Sequence, residues 1–183
     1  RIFSNQRVRP RGAPPRKVSP APQDNLLQRA TEFRAMGLFR HFTDDQLISL
    51  AQMAEPRTFE HAQVLFREDE DGRDLFIVRG GTIHITRRTP VGTQILTTLG
   101  FGSIFGEVSY LDHGDRSATA FGVGTGSIYV IDSDLLDAAI AANRELAVSL
   151  LWSFWQTLAT NTIRSSWRCG YRSADEARLD KKR

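Results

Sequence analysis

The sequence predicts a mainly β domain with α-helices on both sides, in which short antiparallel strands form a small barrel, sandwich or jelly roll. Apolar residues recur at helical spacing before residue 57 and after residue 131. Between these helical regions, short β-branched and aromatic segments alternate with turns that contain Gly, Asp or Pro. A chain of 183 residues is long enough for one such domain with extensions, or for two very small domains.

The first 23 residues form a basic, proline-rich segment that we expect to be a disordered linker. Residues 1–22 contain six Lys or Arg residues, no acid and five of the seven prolines. Because the whole chain has a net charge of +3, the rest of the chain is acidic overall and is not a bulk nucleic-acid binder. The segment is either a tether to an upstream domain or an electrostatic arm for membrane phosphates or nucleic acid.

Several protein classes are excluded by composition. The single cysteine, Cys169, leaves no internal disulfide framework or cysteine-rich zinc site, and it indicates a reducing compartment. No apolar run reaches the roughly 18 residues that a membrane helix requires. Because the chain begins with Arg1, we expect a fragment or a processed product, located in the cytoplasm or forming the cytoplasmic part of a longer membrane protein.

The predicted domain covers residues 24–168 and begins with two helices over residues 24–56. The first helix has apolar residues at helical spacing and ends before Gly37. The hydroxyl of Thr43 is placed to cap the second helix, and Pro56 is predicted to close it.

Strands are predicted across residues 57–131. A hairpin turn is predicted at residues 89–92, where Pro and Gly follow a β-rich segment. The strand segments are residues 64–66, 75–78, 82–85, 93–96 and 127–130.

Helices return over residues 132–168. Asp132 or Ser133 is placed to cap a short helix, and Asn143 to cap a long one. The long helix carries a wide apolar stripe that includes Trp152 and Trp155, which either packs on the β core or contacts a second subunit. Residues 169–183 are predicted to be a polar tail.

One segment, residues 99–119, has the composition of a ligand-binding loop. Gly106 and Glu107 precede a predicted single helical turn, whose free amides favour an anion. Nine residues after Glu107 comes Arg116, whose guanidinium suits an anionic oxygen pair, and Ser117 adds a hydroxyl donor. Since the Glu107 carboxylate could accept from a sugar hydroxyl, a phosphate next to a ribose fits this combination.

These residues resemble the cyclic-nucleotide-binding domains of the catabolite activator and of protein kinase regulatory subunits. Phe105-Gly-Glu107 followed by Arg116-Ser-Ala-Thr119 is similar to the phosphate-binding cassette of that family. Residues 38–42 and 75–81 resemble two further family segments, so that the resemblance covers about residues 37–165. It implies an eight-stranded antiparallel β-roll, jelly-roll-like, with N-terminal helices and a long C-terminal helix.

The resemblance also implies roles for individual residues. Glu107 would bind the ribose 2′-hydroxyl, while Arg116 and Ser117 would bind the cyclic phosphate. The amides of the cassette would assist them. The remaining residues of the expected site lie in the cassette, at the base pocket or on the long helix: Gly106, Val108, Ala118, Ile85, Leu96, Asn161 and Thr162.

Two positions depart from the family pattern. Tyr110 stands where Leu is common, so packing behind the cassette is expected to change. Ala62 stands where a turn often has Gly. Too few residues follow the long helix for the helix-turn-helix reader of the activator, so no direct DNA reading is expected.

Other interpretations of the same residues remain open. Arg116 could form only a surface ion pair with Asp112 or Asp115. A degenerate pocket could serve as a protein-docking module without nucleotide. The four histidines are scattered rather than paired, which argues against a metal enzyme.

The function predicted from the sequence is a regulatory module rather than an enzyme. Its ligand is expected to be cAMP, with cGMP as the alternative, and no cofactor or metal is expected. Binding is expected to move the C-terminal helix and to act on an effector domain outside this chain or on a partner subunit. A homodimer through the C-terminal helix is one such arrangement.

Overall fold

The computed structural model describes residues 25–160, which form a β-sheet structure flanked by helices. The helices are α1 (Leu26–Ala35), α2 (Asp44–Met53), α3 (Glu107–Asp112), α4 (Ser133–Ala142) and α5, which covers residues 144–160 of the described part. A 3-10 turn lies at Gly37–Phe39. The strands are β1 (Ala54–Phe59), β2 (Val64–Phe66), β3 (Leu75–Thr89), β4 (Gly92–Leu99), β5 (Ile104–Phe105) and β6 (Thr119–Ile131).

The strands pair antiparallel in the order β1-β6-β3-β4, with β2 added to β6 and β5 added to β3. The pairing of β3 with β6 shifts register on both sides of Gly80. Residues 75–78 therefore pair with one half of β6 and residues 82–86 with the other half. The predicted β-roll is confirmed. Six strands rather than eight are present within residues 25–160, because each of these two long strands runs through the bend without a break.

The bend depends on glycine. Gly81 has a φ of +87°, a left-handed conformation that glycine adopts without steric cost. A Cβ at Gly126 would lie 2.4 Å from the carbonyl oxygen of Gly80 and equally close to the ring of Phe59. The two long strands can therefore approach each other here only because these positions lack side chains.

Two apolar cores fill the structure. One lies between the helices and the adjoining end of the sheet, where the ring of Phe33 packs against those of Phe39 and Tyr129. The other lies inside the roll, where the rings of Phe76 and Phe105 stack at 5.1 Å. The candidate site borders this second core.

Each of the helices α1, α2, α4 and α5 begins next to a polar side chain that caps its first turn. Asn25, Thr43 and Asp132 each accept a hydrogen bond from the first turn of their helices, and Thr43 forms a capping box with Gln46. Asn143 accepts from the amides of residues 145 and 146 at the start of α5. These caps satisfy amides that have no partner within the helix.

The prediction that Pro56 closes α2 is wrong. The helix ends at Met53, and Pro56 lies within β1, opposite Tyr129. Proline is tolerated there because β1 is at the edge of the sheet, where one side of the strand needs no partner for its amides.

Ala62 adopts the conformation that its family position would suggest for glycine. Its φ is +60°, and its amide donates to the carbonyl oxygen of Gly122 at 2.9 Å. The turn therefore keeps a left-handed residue although a Cβ is present.

None of the helices within residues 25–160 has both the length and the apolar character to cross a membrane.

Candidate functional site

A cavity of about 270 Å³ opens between the cassette, the strands β3 and β4, and α5. Eight of the ten residues that the sequence predicted for the site line it: Ile85, Leu96, Gly106, Glu107, Val108, Arg116, Ser117 and Ala118. The other two, Asn161 and Thr162, lie outside the described residues. The lining also includes residues that the sequence did not single out: Phe66, Thr97, Leu99, Phe105, Ser109 and Leu158.

Gly106 brings the backbone of the cassette close to Arg116. Its φ is +82°, and it directly precedes α3. A Cβ at this position would lie 2.7 Å from Nη1 of Arg116 and 2.8 Å from the carbonyl oxygen of Asp74. Glycine is therefore needed here both for the backbone conformation and for the space that the guanidinium occupies.

The side chain of Arg116 is buried, with 4% of its surface exposed. It donates to the carbonyl oxygen atoms of Gly106 and Asp74 and to Oγ of Ser109, at 3.2, 2.9 and 2.9 Å. Its guanidinium also lies over the ring of Phe66, at 4.4 Å. The alternative of a surface ion pair with a nearby aspartate is wrong, because within residues 25–160 the hydrogen-bond acceptors of this guanidinium are all neutral.

Burial lowers the pKa of Arg116 to about 10, although Asp74 and Glu70 act in the opposite direction at longer range. The guanidinium is therefore still charged at neutral pH. Because it has no counterion at hydrogen-bond distance among the described residues, its charge is incompletely compensated.

The backbone on either side of Arg116 is held in place by a neighbouring loop. The amide of Arg116 donates to the carbonyl oxygen of Glu70, and the amide of Asp69 donates to the carbonyl oxygen of Arg116, both at 2.9 Å. The hydroxyl of Thr119 accepts from the amide of Glu68. These contacts fix the start of β6, so Arg116 and Ser117 enter the cavity from a rigid backbone.

Glu107 is the second buried charged group of the site, with 5% of its surface exposed. Burial raises the pKa of its carboxyl, while its own backbone amide and the charge of Arg116 oppose that rise. A hydroxyl-bearing ligand could supply the donors that burial has removed from this carboxylate.

The opposite wall of the cavity is apolar. Ile85 of β3 lies in register with Thr97 of β4, next to a register shift in the pair. Leu96 extends this wall, and Leu158 adds a contact from α5. Phe66 lies instead on the side of Arg116, whose guanidinium covers its ring. One wall thus carries charged and hydrogen-bonding groups, whereas the other suits a flat apolar group.

Clusters of potential metal ligands were also sought among the described residues. Residues 25–160 contain no group of three or more His, Cys, Asp or Glu side chains placed to hold a metal ion. The arrangement described above instead suits an anion that is attached to a group bearing hydroxyls and a flat ring.

Comparison with known proteins agrees with this geometry. Residues 56–143 match the cyclic nucleotide-binding domain family. This part of the chain belongs to that family. The cyclic nucleotide-binding domain includes the cassette, Glu107 and Arg116, all of which lie within the matched residues.

Relatives of the domain include regulators of different kinds. A CRP-like cAMP-activated global transcriptional regulator of Mycobacterium tuberculosis is 31% identical over 129 residues, which are 70% of this chain and 55% of the regulator. Human cGMP-dependent protein kinase 2 is 25% identical over 116 residues, which are 62% of this chain and 15% of the kinase. The chain thus spans about half the length of the first relative and much less of the second.

Solved structures show the same fold. A crystal structure of a cyclic nucleotide-binding domain from Methylobacillus flagellatus has a TM-score of 0.68, covering 78% of this chain and 81% of that chain at 23% identity. This likeness confirms the architecture of the domain.

Proposed function

We propose that the cavity binds a cyclic nucleotide, cAMP in preference to cGMP, and that the domain relays occupancy through α5. The observation that carries this proposal is the pair of buried charged side chains, Glu107 and Arg116, on one wall of a cavity whose other wall is apolar. A phosphate would supply the counterion that Arg116 lacks among the described residues, a ribose hydroxyl would donate to Glu107, and a base would pack on the apolar wall.

In this proposal, each lining residue meets one part of the ligand. Arg116 and Ser117 bind the cyclic phosphate, together with the cassette backbone from Gly106 to Val108 and near Ala118. Glu107 binds the 2′-hydroxyl of the ribose. Ile85 and Leu96 pack on the base, and Asn161 and Thr162 stay predicted contacts of the C-terminal helix.

The preference for cAMP rests on Ser117. In the family, Thr at this position accompanies guanine preference in kinase domains, whereas Ser is found in the bacterial activator that uses cAMP. The Mycobacterium tuberculosis relative is named as cAMP-activated, which agrees with this preference. The kinase relative is named as cGMP-dependent, so a direct comparison of the two ligands is required.

The relay would be a population shift between arrangements of α5. Leu158 of α5 lines the cavity, so a bound base can contact this helix. The ligand favours the arrangement in which α5 covers the base, by as much as its affinities for the two arrangements differ. The output would pass to an effector domain outside this chain, in the cytoplasm or on the cytoplasmic side of a membrane.

A second copy of the chain is the proposed partner of the outer side of α5. Val148, Leu151, Trp152 and Trp155 are each more than half exposed there, and residues 148, 152, 155 and 159 follow the alternating spacing of four and three that is typical of paired helices. Light scattering should give the mass of a dimer, and Trp155→Glu should give a monomer. Leu27→Glu, at another exposed apolar position, should leave the mass unchanged; a monomeric unmodified chain would contradict this arrangement.

The proposed function is tested by thermal unfolding with cAMP, cGMP, 5′-AMP or buffer, followed by calorimetric titration. We expect cAMP to raise the unfolding temperature most, cGMP less, and 5′-AMP little, because only the cyclic phosphate fits between Arg116 and the ribose site. The absence of a shift with any nucleotide would overturn the proposal and favour a protein-docking module. An equal response to 5′-AMP would contradict recognition of the cyclic phosphate.

A further inference from the structure

Three residues outside the cavity connect the cassette helix α3 to α4. Tyr110 of α3 donates its hydroxyl to Oδ1 of Asp137 at 2.7 Å. Arg73 donates to Oδ2 of the same carboxylate at 3.1 Å, and its guanidinium lies 5.4 Å from the centre of the Tyr110 ring. Each of the three side chains therefore contacts the other two.

This cluster lies outside the lining of the cavity. Tyr110 is three residues after Glu107, and neither it nor Arg73 or Asp137 lines the cavity. The ring of Tyr110, which is 6% exposed, also packs against Phe154 of α5 at 6.0 Å. One side chain thus contacts both helices that follow the β-roll.

A second connection between the site and α4 runs through the neighbour of Arg73. The carbonyl oxygen of Asp74 accepts from Nη2 of Arg116 at 2.9 Å, and its carboxylate accepts from the amide of Ser133, the first residue of α4, at 3.2 Å. Helix α4 is therefore tied at its first residue to the group that holds Arg116, and one turn later to α3.

We propose that Tyr110, Asp137 and Arg73 form a latch that positions α4, and through it α5, over the cavity. This inference rests on the proposed cyclic-nucleotide binding, for which the three would be positioning residues. Since α5 follows α4 directly and brings Leu158 to the cavity, loosening the latch lowers the fraction of molecules with a complete ligand wall. The apparent affinity falls in proportion to that fraction.

The protonation states of the latch residues suit the hydrogen bond. Burial and the Asp137 carboxylate both raise the pKa of the Tyr110 hydroxyl, which therefore keeps its proton at neutral pH. The hydrogen bond from Tyr110 lowers the pKa of Asp137, which stays ionised as the acceptor.

The chain offers a matched control for removal of the hydroxyl. Tyr129 also donates its hydroxyl to a carboxylate, Oε2 of Glu32, at 2.6 Å, and it lies outside the lining of the cavity. Tyr110→Phe and Tyr129→Phe therefore make the same chemical change, but only the first loosens the latch. We expect similar losses of thermal stability from the two.

The test is a calorimetric titration of cAMP into both variants and into each of them combined with Leu158→Ala. We expect Tyr110→Phe to weaken binding about fivefold, the effect of one hydrogen bond, and Tyr129→Phe by less than about twofold. In the Leu158→Ala background the effect of Tyr110→Phe should fall below about twofold, because the contact that the latch positions is gone. Equal losses in both tyrosine variants, or a fivefold loss that persists without Leu158, would overturn the latch.

Failure of the latch is distinguishable from failure of nucleotide binding. If the unmodified domain binds no cyclic nucleotide, the proposed function is overturned and the latch is judged by amide hydrogen exchange alone. Exchange over residues 133–142 should then be faster in Tyr110→Phe than in Tyr129→Phe. Equal exchange in these two variants would overturn the latch as well.

Discussion

Arg79 and Arg116 both place a guanidinium inside the domain, but different groups surround the two charges. Arg79 of β3 donates Nε and Nη2 to the two carboxylate oxygens of Glu32 in α1, both at 2.8 Å. Arg116 donates to two carbonyl oxygens and one hydroxyl. The first charge is neutralised within the described structure, whereas the second is solvated only by neutral groups.

The difference indicates that the two arginines have different tasks. A bidentate pair with a carboxylate offsets the cost of removing both charges from water, and it ties α1 to the sheet. A buried guanidinium without such a partner has the character of a binding site, since an anion gains most where a charge is already desolvated. Arg79 is thus expected to act on stability and Arg116 on ligand binding.

The role assigned to Arg116 is tested most directly by Arg116→Ala. Its phosphate contacts are charge-assisted hydrogen bonds, worth about 1.5–3 kcal/mol each, so the loss of two should weaken cAMP binding at least ~100-fold in calorimetry. Arg116→Lys should also bind weakly, because an ammonium cannot reproduce the planar donor pair. Unchanged affinity in Arg116→Ala would refute the assigned role.

The converse change is Arg79→Ala, which leaves Glu32 without its ion-pair partner. We expect the free energy of unfolding to fall by about 3 kcal/mol, as measured by denaturant titration, because two charge-assisted hydrogen bonds are lost and a partly buried carboxylate stays behind. Affinity for cAMP should change by less than about twofold. A large loss of affinity in this variant would mean that the two arginines do not have separate tasks.

Gly106→Ala tests whether the position of Arg116 depends on the cassette backbone. Alanine at a φ of +82° costs about 1–2 kcal/mol, and its Cβ would displace the guanidinium. Both stability and cAMP affinity should fall, by chemical denaturation and calorimetry respectively. Gly92→Ala is the control, since Gly92 also has a positive φ but a Cβ there meets no other atom. It should lower stability alone.

Glu32→Gln makes the surroundings of Arg79 neutral, like those of Arg116. Burial raises the pKa of Glu32, but the hydrogen bonds from Arg79 and Tyr129 outweigh it and hold this pKa below its ordinary 4.5. A depressed folded-state pKa contributes stability above pH 4.5, which is lost as the pH falls through the folded value.

At pH 7 the variant should therefore unfold about 1.5 kcal/mol more easily than the unmodified chain, since a charged acceptor has become neutral. The difference should shrink progressively below pH 4.5 in denaturant titrations. A difference that does not vary with pH would show that the charge of Glu32 is not what stabilises this contact.

Contacts between near neighbours in the chain were predictable from sequence. Thr43, Asp132 and Asn143 cap their helices as predicted, because a short polar side chain reaches amides two or three residues ahead. The separation of nine residues between Glu107 and Arg116 likewise matched a known cassette, and both residues line the cavity. Local hydrogen bonds and motif spacing depend only on residues that are close in the sequence, so both can be predicted from it.

Other parts of the fold could not be predicted from sequence patterns. The strand β1 contains Pro56, and the first eight residues of β6 include three glycines, so neither resembles a β-rich segment. Their pairing is decided by the bend in the roll, where Phe59 packs on Gly122 and Gly126. The strand propensities of these residues are secondary to packing.

The amino-acid sequence alone determined the helical regions on both sides of the sheet, several of its strands and the chemical groups of the cassette. The tertiary structure decided what surrounds them. Arg116 is solvated by Asp74, 42 residues away, and Tyr129 meets Glu32 across 97 residues. Such partners come together only when the roll closes. The burial of a side chain and the acceptors of its hydrogen bonds depend on which distant segments pack against it, and its neighbours in the chain do not determine them.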